Sequence, residues 1–319
     1  MADQISIAIA TFNGERYLRQ QLDSLYNQTR IPDEIFVSDD GSKDKTHEIL
    51  EEYRDKYGLK YVINNQSLGV NKNFEQAIRS CNGDYIMICD QDDIWFPDKI
   101  EKSFDKIKAI EGNNAAVVSS QCYDIDQNGC IISKRTKIKK DSYTCADTLL
   151  QPANCSQGCT LMINKKMIEM LRPFPENRIM MYDAYIGFVA ASIGIKYNMA
   201  IPLMFYRHHD TNVTARINND KVPFIKGKLI DFLNRFQILP LSNSRLTSCC
   251  YIYDKYNSLL TEEVKDIYKK LFEYSNTSSI LKRVICILNM HQLDLYKRIK
   301  LIFANIIFFH KERISQHTM

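Results

Sequence analysis

Three acids in four positions, Asp90, Asp92 and Asp93 with Gln91 among them, follow directly on the β-rich run Asp84-Tyr85-Ile86-Met87-Ile88-Cys89. In a parallel α/β sheet, ligands bind beyond the carboxyl ends of the strands, which is where these carboxylates fall. Two carboxylates separated by one residue can hold a hard divalent cation, with water and a diphosphate completing its shell. A metal-bound nucleotide is the economical reading. The plain alternative is a helix N-terminus, where Asp side chains meet free N–H groups, but three acids exceed what a cap needs. A second acidic pair, Asp39-Asp40 before Gly41-Ser42, ends the run Glu34-Ile35-Phe36-Val37-Ser38. Carboxylates there can accept from the imide N–H of a uracil or thymine, or from ribose hydroxyls; alone, the pair would read as a simple Asp-Gly turn.

These acids need a scaffold, and the first 120 residues supply one. Strand-like runs at 5–10, 34–38, 60–64 and 84–89 alternate with helical patterns at 16–26, 71–80 and after the turn at 41–46. Strands separated by single helices imply a parallel, doubly wound sheet. From about residue 115 the pattern loosens into an α+β half. Strands are expected at 115–119, 121–126 and 159–164, a basic loop at 134–140, and a helix at 180–192. Two short strands should flank Pro202 within 195–206. After Asp220 nearly every segment reads as helix, including 224–236, 262–274, 280–289 and 293–309.

Length and composition bound the function. The 319 residues are 45% hydrophobic and 25% charged, with 11 Gly and 8 Pro, which excludes collagenous and low-complexity chains. No apolar run approaches the roughly 18–20 residues of a spanning helix, and the start Met1-Ala2-Asp3-Gln4 has no signal-peptide pattern, so neither secretion by a signal peptide nor a membrane span is expected. The ten cysteines are scattered without a Cys-x-x-Cys pair, and they read as reduced cytosolic thiols, most of them buried small hydrophobes. The net charge of +4 is uneven: residues 221–319 carry 16 Lys/Arg against 8 Asp/Glu, while residues 1–220 are net acidic.

Ala10-Thr11-Phe12-Asn13, Val37-Ser38-Asp39-Asp40-Gly41-Ser42, Gly69-Val70-Asn71-Lys72-Asn73-Phe74-Glu75, Gly83-Asp84-Tyr85 and Asp90-Gln91-Asp92-Asp93-Ile94-Trp95, in this order and spacing, resemble a family 2 glycosyltransferase. The resemblance implies an α/β GT-A fold, a Rossmann-like and mostly parallel sheet with helices on both faces. A nucleotide-sugar-binding half would span 1–115 and an acceptor-binding half 116–220, followed by a basic helical region at 221–319. It implies inverting transfer from a nucleotide-diphospho-sugar, in a subgroup that builds bacterial polysaccharides and includes rhamnosyltransferases. Thr11, Phe12, Asn13, Asp39, Asp40, Asp90 and Gln91 would face the donor. Ser156-Gln157-Gly158-Cys159-Thr160 resembles the acceptor-side loop, represented by Gly158 and Cys159. In Tyr182-Asp183-Ala184-Tyr185, Asp183 takes the place of the catalytic base, while Tyr182 stands where an acid or His is usual. Tyr206-Arg207-His208-His209-Asp210-Thr211-Asn212-Val213 points to His209 as a metal ligand beside Asp92, with Asp210 replacing a more usual glycine.

The chemistry agrees residue by residue. Breaking a sugar–diphosphate bond builds negative charge on the leaving group, which Mn2+ or Mg2+ held by Asp92 and His209 would offset. The acceptor hydroxyl must lose a proton, for which Asp183 is the candidate base. Lys72 and Arg207 are placed to reach a phosphate or to be ordinary surface charges, His208 reads as structural or solvent-facing, and Trp95 should pack beneath the acid loop.

The donor expected is a UDP- or dTDP-sugar, dTDP-rhamnose among them. The acceptor would be a hydroxyl of a polysaccharide or lipid-linked oligosaccharide in cell-envelope, capsule or O-antigen synthesis. Basic amphipathic helices across 280–313 suit either a peripheral contact with the inner face of the plasma membrane, or packing on the catalytic domain or in a homodimer. No nucleic-acid motif accompanies the basic tail. Two other functions compete: a nucleotide-binding scaffold of an envelope-assembly complex, and a sugar-nucleotidyltransferase. The latter normally has a Gly-rich loop after its first strand, whereas residues 10–16 contain only Gly14.

Overall fold

The computed structural model describes residues 3–134, 148, 157–172, 174, 180–210, 212, 243–276, 279–289, 298, 299 and 302. Of the loop expected at 134–140 only Lys134 is described, and it ends a strand; the helix at 224–236 and nearly all of that at 293–309 lie outside the described residues.

The first half is the doubly wound unit its alternation implies. Strands β1 (Ile5–Thr11), β2 (Glu34–Asp39), β3 (Lys60–Ile63) and β4 (Tyr85–Asp90) are joined by helices α1 (Leu18–Tyr26), α2 (Thr46–Tyr57) and α3 (Val70–Ser80). They pair in parallel in the order β3-β2-β1-β4. Period-two alternation fixes the faces. Ile5, Ile7 and Ile9 of β1 join Met87 and Cys89 of β4 in a core under α1 and α2, while Ala8 joins Ile86 and Ile88 in a core on the opposite face, under α3.

The second half mixes directions. After the short β5 (Ile94–Trp95), helix α4 (Lys99–Glu111) leads into β6 (Ala116–Ile125), which forms a hairpin with β7 (Ile131–Lys134). A 3-10 turn at Gly158–Thr160 opens β8 (Leu161–Asn164), followed by α5 (Lys165–Leu171), α6 (Tyr182–Ile193) and β9 (Ile195–Arg207). Strand β8 runs antiparallel to both β4 and β6, so it stitches the two halves into one nine-stranded sheet.

Two sequence expectations are revised. The two strands read at 115–119 and 121–126 form one strand, β6, and the two read around Pro202 form one strand, β9. They pair in parallel with register shifts around the Gln121–Pro202 pair, which accommodates a residue that has no N–H to give the ladder. Helix α4 was not read, although Ile100, Phe104 and Ile107 carry its buried stripe.

The C-terminal helices α7 (Asn243–Tyr256), α8 (Glu262–Asn276) and α9 (Ile280–Leu288) do not stand apart. Ile252, Tyr256, Ile267, Tyr268, Leu271 and Ile287 enter the same core as Phe188 and Val189 of α6. Within α9, Ile287 is buried in that core, while Leu281, Ile285 and Leu288 are exposed. Among the described residues, no helix is long and apolar enough to cross a membrane. The eight described cysteines are free thiols, five of them buried.

Candidate active site

Register builds the site. Thr11 lies opposite Asp39 across β1 and β2, and Ala10 opposite Asp90 across β1 and β4, so one edge of the parallel sheet gathers the first acid of the cluster, the Asp39-Asp40 pair and the Thr11–Asn13 segment.

The donor-side loops are held by their own carboxylates. Asp39 is fully buried and accepts from Thr11 Oγ1 at 2.8 Å, Ser42 N at 2.9 Å and Ser42 Oγ at 2.6 Å, with His47 Nε2 at 2.8 Å. Burial opposes the charge, but these partners hold Asp39 below the usual carboxylate range. Asp40 accepts from Ser67 Oγ and from the N–H groups of Leu68 and Gly69, which folds residues 67–69 over the start of α3. Both acids thus have protein partners in the loops at this edge. Asn13, at a positive φ of 50°, accepts from Lys43 N and gives its own N–H to Ser42 Oγ, locking the first loop to the second. Gln91 exchanges hydrogen bonds with both the N–H and carbonyl of Phe12, whose ring is exposed. Gly14 makes room for that amide, since a Cβ there would fall 2.5 Å from Gln91 Oε1.

The acid cluster meets the end of β9 across 117 positions of sequence: Asp92 Oδ2 lies 2.7 Å from His209 Nε2. Asn212 holds the turn by accepting from His209 N and donating to Arg207 O. Arg207 turns inward. Its N–H reaches Asp93 Oδ1 at 3.1 Å, Nε the Asp92 carbonyl at 2.9 Å and Nη2 Gln20 Oε1 at 2.7 Å, while the guanidinium lies over the Tyr17 ring at 4.6 Å. It therefore props the acid loop from beneath instead of presenting a free cation to a phosphate. Lys72, by contrast, is exposed on the first turn of α3. His208 pairs with Asp124 at 2.8 Å, away from the acids, and Trp95 is buried below them, as their patterns suggested.

The donor set fits a divalent cation. It offers carboxylate oxygens and one imidazole in contact, and the buried Oδ2 of Asp93 has no hydrogen-bond partner. Burial and repulsion from Asp92 and Asp183 push Asp90 up, against a smaller pull from the Lys99 ammonium.

Asp183 opens α6. Its carboxylate accepts from Gly158 N at 3.2 Å and Ala184 N at 2.7 Å, while burial pushes its pKa above the usual range. Tyr182 lies beneath it, stacked on Phe74 with centroids 4.1 Å apart. Its hydroxyl occupies the space that a side chain at 158 would need, since a Cβ on Gly158 would sit 1.8 Å from Tyr182 Oη. Asn71 clamps the entry to α6, donating to Met180 O at 3.1 Å and accepting from Tyr182 N at 2.9 Å. Cys159 is buried, with its Sγ beside carboxylate oxygens of Asp90 and Asp93. Tyr17, Gln20, Asn71 and Asn212 were not read from sequence. Single polar residues on amphipathic patterns give no local signal, and only their partners define them.

The family and the fold are shared with known proteins. The Glycosyl transferase family 2 model matches residues 6–172. The dTDP-rhamnosyl transferase RfbG of Shigella flexneri is 32% identical over 64% of this chain and 72% of its own length. Among solved structures, S. aureus TarS 1-349 in complex with UDP-GlcNAc superposes with a TM-score of 0.56 at 16% identity, over 98% of this chain and 92% of that one. The mannosyltransferase PcManGT from Pyrobaculum calidifontis, in complex with GDP-Man and Mn2+, gives a TM-score of 0.52 at 14% identity, over 97% and 87%. The chain belongs to glycosyl transferase family 2 and has the α/β fold that its first half announced. It is a glycosyltransferase acting on a nucleotide-sugar.

Proposed function

We propose that the protein is a metal-dependent, inverting glycosyltransferase that moves a sugar from a UDP- or dTDP-sugar to a hydroxyl of a cell-envelope polysaccharide or lipid-linked oligosaccharide. The observation that carries this reading is the 2.7 Å contact of Asp92 with His209, made within reach of the charge of Asp183 through Asp90. The likeness to RfbG, a dTDP-rhamnosyl transferase by name, favours dTDP-rhamnose as the donor.

Asp92 and His209 would hold Mn2+ or Mg2+, which when bound supplies Lewis acidity toward the departing diphosphate. Asp183 takes the proton of the acceptor hydroxyl as that oxygen bonds to the anomeric carbon. The bond from that carbon to the diphosphate oxygen breaks with its electron pair on the oxygen. A single displacement from the opposite face inverts the centre. Thr11, Phe12, Asn13, Gln91 and Lys72 line the donor edge, Asp39 and Asp40 fix its loops, and Gly158 and Cys159 border the acceptor side. The enzyme would work in the cytoplasm, with the basic segment 280–313 held against the inner face of the plasma membrane. Vesicles containing anionic lipid should sediment the protein, whereas neutral vesicles should not.

The test is nucleotide release from a panel of UDP-, dTDP- and GDP-sugars, with Mn2+, Mg2+ or chelator, since slow attack by water needs no acceptor. Metal-dependent release from one donor is expected. Undiminished release in chelator overturns the metal assignment, and no release from any donor overturns the reading.

A further inference from the structure

Lys99 is the first residue of α4 and one of the largest side chains with no exposure at all. A lysine buried this deeply is uncommon, because removing an ammonium from water is costly unless partners replace the solvent. Here the replacement is specific. Nζ donates to the carbonyl of Cys159 at 2.6 Å, lies 3.0 Å from Met204 Sδ and sits 4.0 Å above the centroid of the Trp95 ring. The carbonyl dipole and the ring face both favour a cation.

What these contacts join matters more than their strength. Trp95 and Lys99 follow the acid loop within a few residues, Met204 lies on β9 shortly before Arg207 and His209, and Cys159 sits in the 3-10 turn whose Gly158 N–H binds Asp183. The loop carrying the proposed metal ligands and the turn that seats the proposed base therefore meet on a single ammonium. A side chain without an N–H group would leave the Cys159 carbonyl without this donor and remove the link between the two segments.

Resting on the reading of Asp92, His209 and Asp183 given above, we propose that Lys99 is a positioning residue for sugar transfer: its ammonium locks the acid loop to the Gly158–Thr160 turn and so sets the base against the donor. It touches no substrate. Its loss should slow the reaction while leaving nucleotide binding at the acid loop in place.

Lys99→Met keeps the length of the side chain and removes the charge. With dTDP-rhamnose, or whichever sugar nucleotide the wild type cleaves, kcat for donor cleavage should fall at least tenfold while the donor KM and the affinity for the free nucleoside diphosphate with Mg2+ stay within threefold. An unchanged kcat overturns the proposal. So does a joint loss of kcat, nucleotide affinity and melting temperature, which would mark packing alone. Wild-type hydrogen exchange gives a reading that depends on no variant. UDP or dTDP with Mg2+ should slow exchange at least fivefold across 157–164 as well as at 90–95, and slowing confined to 90–95 overturns the coupling. A wild type that neither binds nor cleaves any sugar nucleotide defeats the functional reading and this proposal with it.

Discussion

Asp183 is held by two backbone N–H groups yet pushed upward by burial, so its proton affinity is higher than that of a free carboxylate. Only the deprotonated form can accept the acceptor's proton. The rate should therefore fall as pH drops through a pKa above the ordinary value of about 3.9. Asp183→Asn should lower turnover by about 10²–10⁴ with nucleotide affinity retained; near-normal turnover would assign the base elsewhere. Gly158 offers a different kind of test at this scale. Ala at 158 places its Cβ against Tyr182 Oη, and with Phe74 stacked on the Tyr182 ring, relief must come from moving the Asp183 turn. Gly158→Ala should cost about 1–3 kcal/mol in denaturant unfolding and most of the activity. The acids at 90, 92 and 93 stand out in the sequence because they cluster after a strand, whereas Asp183 is singled out only by the resemblance of Tyr182-Asp183-Ala184-Tyr185 to the family's motif. Asp39, Asp40 and Arg207 were legible as polar residues at the right edge, but their inward orientation depends on Thr11, Ser42, Leu68 and Gln20, which only the fold brings near.

At the scale of elements, α6 depends on a helix far from it in sequence. Asn71 in the first turn of α3 satisfies both Met180 O and Tyr182 N, at the point where the chain enters α6. Asn71→Ala leaves two backbone groups without their partner. It should cost about 1–3 kcal/mol of stability and lower turnover more than it alters nucleotide affinity. An equal effect on both would place the clamp on the donor side. The strands of the first half could be read because each alternates and ends in punctuation such as Asp-Gly. The missed elements have physical reasons too. β5 is two residues long, too short for any period, and β9 keeps its ladder past Pro202 through register shifts with β6 that a local rule cannot foresee.

Two consequences belong to the whole molecule. Helices α7–α9 contribute Ile252, Tyr256, Ile267, Tyr268, Leu271 and Ile287 to the core above α6, so removing residues 243–319 would uncover a large apolar face. The truncated chain should aggregate or lose its cooperative unfolding transition, and a soluble, active 1–242 fragment would show the helices to be dispensable. Acid stability is set partly by Glu34. Burial disfavours its charge, yet the N–H of Asn82, the ammonium of Lys60 and the Ser6 hydroxyl hold it down to about 2. A depressed folded-state pKa stabilises the fold fully above the unfolded value of about 4.3 and loses that contribution as pH falls toward 2. Glu34→Gln should therefore lower stability at neutral pH and flatten the loss between those limits; an unaltered acid limb would exclude Glu34 as its source.

The sequence by itself determined the class of this protein: an alternation of strands and helices specifies a parallel sheet, because period acts locally, and the ordered motifs at the strand ends carry the likeness to the family. Tertiary structure decided what the acids at those ends touch. Whether a carboxylate meets a ligand or a neighbouring N–H, whether a lysine meets water or the carbonyl of a distant turn, and whether basic helices pack on a core are matters of long-range register. β8, running against β4 and β6, brings Cys159 to Lys99 and Gly158 to Asp183, and no local pattern encodes that pairing.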